Sequence, residues 1–395
     1  MVSPATRHNA TGRCCGSLGL LENTMGVALA LELGTLLGGL FSGLSSKKNT
    51  PLVGLDISTT GIRMVELSQG SNHELRLERC VSESLPRGAM TDGNIENIEQ
   101  VSEAIRRVLK KSGTKIKEVA LGMPPSAVIT KKINFSAALS DESLEVQVES
   151  EASQYIPFAL DEVSLDFYVI GPSRGSPDDV EVMLAAARKE KIEDRVAVVQ
   201  AAGLKALVMD IESYAARAAA LRIVGQMRNG GKDQIVALFQ IGAKITHVSI
   251  LLNGETVYER EQTFGGNQLT QDIVRTYGLT FEDAEARKKN NDLPDGYEQE
   301  LLNPFLESTA MEVNRAIQFF FTSTAYTRVD HIFLAGGCAA IPDLVDMVAN
   351  RTKIQTEAIS PFLGMQFSSQ IREKQLRNDA PAYLVACGLA MRRFD

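Results

Sequence analysis

The chain has 395 residues, more than one hydrophobic core usually serves, so we expect two lobes or several subdomains. Its formal net charge of -8 excludes a broad nucleic-acid-binding surface, which would need a positive field. The five cysteines and four histidines form no CxxC and no metal-ligand spacing, which argues against a zinc site and favours a reducing compartment. We interpret Cys338 and Cys387 as small buried residues.

Residues 1–49 differ from the rest of the chain. They hold four Lys or Arg residues and two Glu residues, and a Gly-rich apolar stretch runs from residue 26 to 44. Three interpretations stay open: a poorly ordered leader with Met25 as an alternative start, an interfacial helix, or a membrane span. The interfacial helix would carry a stripe of leucines at helical spacing, namely Leu29, Leu33, Leu36, Leu37, Leu40 and Leu44.

The first half of the remaining chain predicts alternating strands and helices. The strands, identified by apolar runs and period-two patterns, are 51–68 (two strands around the turn STTG), 74–85, 118–123, 129–135, 163–170, 180–187 and 206–211. The helices are 94–111, 140–155 with Ser140 as N-cap, 191–202, and an Ala-rich helix from Ser213. Asn229-Gly230-Gly231 then breaks the pattern and is a candidate interlobe link.

The second half starts again with strands. We predict strands 235–239, 246–252, 256–262 and 331–334, with Asn253-Gly254 as a hairpin turn. The predicted helices are 268–277, one capped by Thr280 and Asp283 that runs to residue 289, 301–324, one from Pro342, and a last one from Asp379 to Arg393. We place the phenylalanine run 319–321 in the core.

The two halves open on the same plan. LVGLDISTTGIRMVEL and IVALFQIGAKITHVSIL each consist of an apolar strand, a short turn of small residues and a returning strand, about 180 residues apart. This weak internal duplication predicts two similar lobes that face each other across a cleft.

The first of these turns has the chemistry of a phosphate site. Backbone N–H groups of a tight turn point outward together and form a nest for anions. Ser58, Thr59 and Thr60 add hydroxyl donors, and Gly61 permits close approach. Asp56, at the end of the strand, could hold a water bound to Mg²⁺.

Two further turns complete the pattern. The turn with Gly242, Ala243, Lys244 and Thr246 could serve phosphates from the other lobe. The Gly-rich turn LAGGCAAIP, residues 334–342, lets a flat adenosine approach the backbone. Each motif alone is compatible with an ordinary turn, so their order and spacing carry the argument.

These motifs resemble the phosphate and adenosine loops of the actin–Hsp70–sugar kinase superfamily. More narrowly, from about residue 50 onward the chain resembles the PilM family of type IV pilus assembly, a relative of the division protein FtsA. The segments that carry this resemblance are SAVITKKINF, ESEASQYIPFALDEVSLDFYVIGP, VEVMLAAARKEKIEDRVAVVQAAGL and FGGNQLTQDIVRTYGLTFEDAEARK. QYIPFALDEV is the most specific of these, because generic sugar kinases and Hsp70 proteins lack it.

The resemblance implies an α/β, actin-like (ribonuclease H-like) fold of two lobes with an inserted subdomain in the first lobe. By position, the first-lobe core would be 50–124 and 181–228, the insert 125–180 and the second lobe 229–395, with the last helix (378–395) packed back towards the first lobe. ATP and Mg²⁺ are the implied ligands. The implied nucleotide-binding residues are Asp56, Ser58, Thr59, Thr60, Gly61, Gln240, Gly242, Ala243, Lys244, Thr246, Gly265, Gly266, Glu285, Lys288, Gly336 and Gly337.

The resemblance also implies a partner and a location. Proteins of this family dock the cytoplasmic N-terminal tail of the inner-membrane protein PilN in a groove between the first lobe and its insert. The chain would then be cytoplasmic and peripheral at the inner membrane, with pilus assembly motors as further partners. Its negative charge suits a basic tail.

One residue departs from the family pattern. The second phosphate loop normally begins with Asp, and here the position holds Gln240. A neutral amide cannot bring charge to a metal, so we expect nucleotide binding with slow or no hydrolysis. We identify no other general base, and interpret His247 as a packed or surface histidine.

Two alternatives remain. An active ATPase or sugar kinase of the same fold would need a catalytic acid and a sugar pocket, and the sequence shows neither motif. An FtsA-like division protein should end in an amphipathic membrane helix, which we do not find in the last residues, LAMRRFD.

Overall fold

The computed structural model describes residues 28–29 and 51–394, except residues 71 and 174. In this part of the chain the strands are β1 (Ala28–Leu29), β2 (Val53–Ser58), β3 (Gly61–Gln69), β4 (Leu75–Ser84), β5 (Met90–Thr91), β6 (Asn94–Ile95), β7 (Glu118–Met123), β8 (Val128–Ser136), β9 (Val163–Pro172), β10 (Asp179–Arg188), β11 (Lys205–Ile211), β12 (Ile235–Ile241), β13 (Thr246–Leu252), β14 (Glu255–Gln262), β15 (His331–Ala335), β16 (Gln355–Ala358) and β17 (Gln366–Phe367). The helices are α1 (Ile98–Ser112), α2 (Asp141–Tyr155), α3 (Lys189–Ala201), α4 (Glu212–Val224), α5 (Asn267–Tyr277), α6 (Phe281–Asn290), α7 (Asn303–Ser323), α8 (Leu344–Thr352), α9 (Glu373–Asp379) and α10 (Leu384–Met391).

Two sheets repeat one strand order. The first is β1-β11-β7-β2-β3-β4-β17, and the second is β14-β13-β12-β15-β16. In each, three antiparallel strands (β2 to β4, β12 to β14) are followed by a strand parallel to the first of them (β7, β15). The duplication read from the sequence is therefore a duplication of topology.

A third sheet stands apart from the two lobes. Its order is β8-β10-β9, and α2 covers one face with Leu144, Val148 and Ala152. β10 pairs with β8 from Asp179 to Ala187 and with β9 from Val180 to Arg188, so this sheet continues beyond residue 180, where the sequence analysis placed the end of the insert.

The lobes meet through two helices with small side chains. α4 and α10 pack between the sheets, in a core that also contains residues of β3, β12 and β15. A methyl group on Gly388 would lie 1.8 Å from the carbonyl oxygen of Ala215, and one on Gly54 would lie 2.1 Å from that of Ala386. The backbones therefore touch directly, which only glycine allows at these two positions.

The first half contains a hairpin that the sequence analysis missed. The helix predicted from residue 94 begins at Ile98, because the side chain of Asn97 accepts a hydrogen bond from Gln100 N (2.9 Å) and caps it. Residues 90–95 instead form the hairpin of β5 and β6, whose turn holds Asp92 (φ 49°) and Gly93 (φ 80°). An Asp-Gly pair with positive φ at both positions is typical of a two-residue hairpin turn.

Other predicted elements also need correction. The helix expected from Pro342 begins at Leu344, and the last helix begins at Leu384, after a 3-10 turn over Ala380–Tyr383. Phe320 is buried as expected, but Phe319 is exposed, with Arg260 above its ring. Of the leucine stripe proposed for an interfacial helix, only Leu29 lies within the described residues, where it pairs with Met209 as a strand. The remaining stripe residues lie outside the part of the chain that the structure describes.

The expected filling roles of Cys338 and Cys387 are confirmed, since both are buried thiols. Within residues 28–29 and 51–394, no helix combines the length and the apolar character needed to cross a bilayer.

Candidate functional site

The first candidate turn joins β2 to β3. Ser58 Oγ donates to the carbonyl oxygen of Gly61 (2.8 Å), which closes the turn beneath Thr59 and Thr60. A side chain at Gly61 would meet the carbonyl oxygen of Glu83 at 2.6 Å, so glycine is required there for packing. Thr60 at the tip is exposed and Thr59 is half-buried, which leaves both hydroxyl groups near solvent.

Asp56 lies at the base of this turn, next to two arginines. Arg63 Nη1 is 3.5 Å from Asp56 Oδ2 and donates to Ser58 Oγ at 3.1 Å. Burial raises the pKa of Asp56, and the charges of Arg63 and Arg195 oppose that rise. Asp56 is therefore a buried carboxyl whose negative charge depends on neighbouring cations.

Arg195 and Glu212 extend this buried charge cluster. Arg195 on α3 is 3% exposed, and its guanidinium lies 3.9 Å from Glu212 Oε1 at the start of α4. Burial raises the pKa of Glu212 to about 7, Arg195 opposes the rise and Asp56 adds to it. A carboxyl that titrates near neutral pH inside a cleft can exchange a proton with a bound water.

The sequence analysis missed Arg63, Arg195 and Glu212. One local signal was available for Glu212, because an acid opens a helix immediately after a buried strand.

The second candidate turn joins β12 to β13, and the backbone of residues 265–267 packs against it. Gly266 N donates to the carbonyl oxygen of Gly242 (3.0 Å), and Asn267 N donates to that of Ala243 (2.8 Å). A side chain at Gly265 would lie 2.5 Å from the Gly242 oxygen. Gly265 and Gly266 thus pack against the second turn because they lack side chains.

The third turn follows β15 and lies beside the second. Gly336 has φ 85°, and a side chain there would meet the carbonyl oxygen of Ile241 at 2.4 Å. Cys338 Sγ lies 3.6 Å from the Gly242 oxygen, and burial raises the pKa of this thiol to about 11. Gly337, in contrast, is exposed, and a methyl group on it would meet no protein atom within 4 Å.

Glu285 and Lys288 come from α6 to the same region. Lys288 Nζ donates to Thr270 Oγ1 (2.5 Å) and forms an ion pair with Glu285. Burial alone would raise the pKa of Glu285, but Lys288 and Thr270 hold it below its usual value. Both charges act on Cys338, which places them near the third turn.

The second turn and the strand that follows it face the first lobe. Lys244 Nζ of the second turn lies 3.2 Å from Asp92 Oδ1 of the first lobe. The charge of His247 on β13 also lowers the pKa of Glu212, at the start of α4 in the first lobe. Thr246 instead anchors the second turn, with its hydroxyl donating to the carbonyl oxygen of Phe264 (2.9 Å).

Metal binding by protein groups alone has no support in this part of the chain. Across the described ranges, no group of three or more His, Cys, Asp or Glu side chains could hold a metal ion. A Mg²⁺ ion carried by phosphates needs only one or two carboxylates. Asp56 and Glu212 provide that number, so the residues present fit such an ion.

Two lobes of one strand order, each with a small-residue turn between its first two antiparallel strands, define a protein of the actin-like ATPase fold. The chain belongs to the family described as type IV pilus assembly protein PilM, whose profile matches residues 54–394. The predicted fold class and family are thus confirmed, and with them a role in type IV pilus assembly.

Comparisons with individual proteins agree with this assignment. The chain is similar to a solved structure of a PilM-PilN type IV pilus biogenesis complex, with 24% identity, coverage of 88% of this chain and 100% of that one, and a TM-score of 0.73. It is also similar in fold to the ethanolamine utilization protein EutJ from Carboxydothermus hydrogenoformans, with 16% identity, coverage of 86% and 89%, and a TM-score of 0.51. In sequence it is 23% identical over 363 residues to the cell division protein FtsA of Bacillus subtilis (strain 168), covering 80% of each.

Proposed function

We propose that the chain is an ATP-binding scaffold of type IV pilus assembly that docks the N-terminal cytoplasmic tail of a PilN-like inner-membrane protein. The observation that supports the proposal is the approach of the second turn to the first lobe, where Asp92 and Lys244 form an ion pair and a cluster of charges lies nearby. The protein would then be cytoplasmic and held at the inner membrane through its partner.

In the first lobe, the turn would bind phosphate oxygens. Thr59 and Thr60 present backbone N–H groups and hydroxyl donors, while Ser58 and Gly61 fix the shape of the turn. Arg63 adds a cation beside them. Asp56 would hold Mg²⁺ through a water, and the ion would supply positive charge between the phosphates.

In the second lobe, Gly242, Ala243 and Lys244 would face the same phosphates. Gly336 and the exposed Gly337 would lie against the nucleoside. The ribose and base would be surrounded by Gly265, Gly266, Glu285 and Lys288. The support is geometric, since these residues meet around Gly242 and Cys338.

Slow hydrolysis is the expected behaviour, and one observation favours a second candidate, an active ATPase. Gln240 is neutral, which weakens the electrostatic contribution of the second turn. Glu212, however, is a half-buried carboxyl with a pKa raised to about 7 and could orient and deprotonate a water. A phosphate-release assay of the natural chain and the Glu212→Gln variant separates the two: fast turnover that the variant abolishes supports the ATPase.

The partner tail would lie between the insert and the first lobe. At that junction Val128, Tyr168 and Met183 of the insert pack in one apolar cluster with Ile211 and Tyr214 of the first lobe, so a peptide bound there would meet apolar side chains. β11 lies next to this junction on the outer side of its sheet, where Ala28–Leu29 pairs with it. An extended peptide would pair along this edge by replacing Ala28–Leu29.

Calorimetry tests the proposal directly. A synthetic peptide of the PilN-like N-terminal tail should bind with about micromolar affinity, close to 8 kcal/mol, and a scrambled peptide should not. ATP should bind separately in the presence of Mg²⁺. Absence of tail binding both with and without ATP would refute the scaffold assignment, and absence of ATP binding would refute the assignment of the cleft.

A further inference from the structure

One connection of the first lobe, residues 84–95, contacts the second lobe at three points. Asp92 Oδ1 lies 3.2 Å from Lys244 Nζ. The Arg87 guanidinium lies 4.9 Å from the centre of the Phe281 ring, and Lys289 Nζ donates to Ser84 Oγ at 3.3 Å. These three contacts join the first lobe to the second lobe near the second turn.

The first of these contacts involves a residue that we assign to phosphate binding. Lys244 has one ammonium group, with three N–H donors at one point of charge. An ammonium held by the Asp92 carboxylate is less available to a phosphate. Asp92 and a bound nucleotide therefore compete for the same cation.

The hairpin that carries Asp92 is also held by a hydrogen bond from Arg195 to its backbone. Arg195 Nη2 donates to the carbonyl oxygen of Gly93 at 3.0 Å, and Arg195 is the same side chain that faces Asp56 and Glu212. On its other side the hairpin borders Pro124 and Ala127, which lead into β8 of the insert. The hairpin thus touches the charge cluster, the second turn and the root of the insert.

We propose that the hairpin of β5 and β6 is an ionic latch, in which the Asp92 carboxylate holds Lys244 until a phosphate takes its place. The inference rests on the proposed binding of ATP in the cleft and adds its regulation. Occupancy of the cleft frees the tip of the hairpin, and because the hairpin borders Pro124, the change reaches the root of the insert.

The size of the effect follows from exposure. The side chain of Asp92 is 68% exposed and that of Lys244 is 46% exposed, so solvent weakens their attraction. Loss of the competitor should therefore change nucleotide affinity by only about two- to fivefold. Binding measurements resolve such a change when variants are compared side by side.

Asp92→Asn is the test variant, because asparagine tolerates the positive φ of this turn and removes only the charge. We expect it to bind ATP about two- to fivefold more tightly than the natural chain in calorimetry. Asp233→Asn is the matched control, since Asp233 also has positive φ (59°) and is exposed, but it precedes the opposite end of β12. The control should leave ATP affinity unchanged.

A double-mutant cycle identifies the partner of Asp92. Lys244→Gln should weaken ATP binding, and Asp92→Asn should then add no further change. Hydrogen exchange of the amides of residues 90–95 should rise when ATP is added to the natural chain. In Asp92→Asn it should be high already and unaffected by ATP.

The outcomes separate the latch from the nucleotide site itself. If the natural chain does not bind ATP, the proposed function fails first. If it binds ATP but Asp92→Asn has equal or weaker affinity, or keeps its effect without Lys244, the latch is refuted. Unchanged exchange of residues 90–95 on ATP binding also refutes it.

Discussion

Gln240 on β12 lies directly opposite His247 on β13, in the register position where Asp56 on β2 lies opposite Arg63 on β3. Each pair stands two residues before the pair that closes its turn, Ser58–Gly61 in the first and Gly242–Ile245 in the second, so the two hairpins are equivalent. In the first, the carboxylate faces a cation that also binds the turn. In the second the carboxylate is absent, and the His247 ring interacts with Glu259 and Glu261 instead.

The missing carboxylate can be restored. Gln240→Asp should raise ATP turnover at least tenfold, because a negative charge at the second turn can position a metal or a water, and a tenfold change needs only about 1.4 kcal/mol. Phosphate release measures it. Gln240→Asn is the matched control, with the size of aspartate but no charge. Equal rates for the two variants would contradict the electrostatic explanation.

His247 predicts a pH dependence of stability. Burial alone would lower its pKa, but hydrogen bonds and charges from Glu259 and Glu261 raise it from 6.5 to about 9. A raised pKa stabilises the folded chain fully below pH 6.5, and this contribution is lost as the pH rises through about 9. It amounts to no more than about 3 kcal/mol.

Thermal unfolding between pH 6 and 10 measures this effect. His247→Gln should flatten the decline of the unfolding midpoint above pH 6.5. His331→Gln is the control, because burial lowers the pKa of His331 and so shifts it away from the range above pH 6.5. An equally steep decline in the His247 variant would show that other groups cause it.

Gly337 tests the position of the nucleoside. A methyl group there meets no protein atom within 4 Å, so Gly337→Ala should keep the stability of the natural chain. If adenosine lies against this backbone, ATP affinity should fall about tenfold or more, because the added methyl group occupies space that the adenosine needs. Calorimetry with ATP gives the affinity. Gly70→Ala, whose methyl group makes only an ordinary contact at 3.8 Å, should change neither quantity.

The contact between α4 and α10 predicts a cost of overpacking. Gly388→Ala would place a methyl group 1.8 Å from the Ala215 oxygen, so the helices must separate, and we expect a loss of about 1–3 kcal/mol. Denaturant unfolding measures the loss. Gly225→Ala at the end of α4 is the control, since its methyl group has 3.4 Å to the nearest atom. Equal stability of both variants would mean that the helices adjust without cost.

Much of the site could be predicted from sequence because its signals are local. The turns after β2, β12 and β15 each depend on adjacent small residues. Asn253 and Gly254 form their hairpin turn with positive φ, as the dipeptide indicated. The matching strand order of the two lobes could also be predicted, because the strand-turn-strand segment repeats in the sequence.

The rest depended on contacts between distant segments. Arg195 meets Asp56 and Glu212 only because β11 pairs with β7 and β7 pairs with β2. No local sequence pattern indicates that these three residues lie close together. The hairpin of β5 and β6 is a different case, because Asp92-Gly93 was a readable signal, but strands of two residues are too short to show alternation.

The position of α10 has a consequence for biosynthesis. α10 lies against Gly54 of β2 and Ala215 of α4, although it is made long after both. A ribosome must therefore translate the chain as far as α10 (Leu384–Met391) before the first lobe receives this cover. Nascent chains arrested before α10 should be cut readily by a protease within β2 and α4, and resistance should appear once α10 has left the exit tunnel. Early resistance would show that the first lobe matures without it.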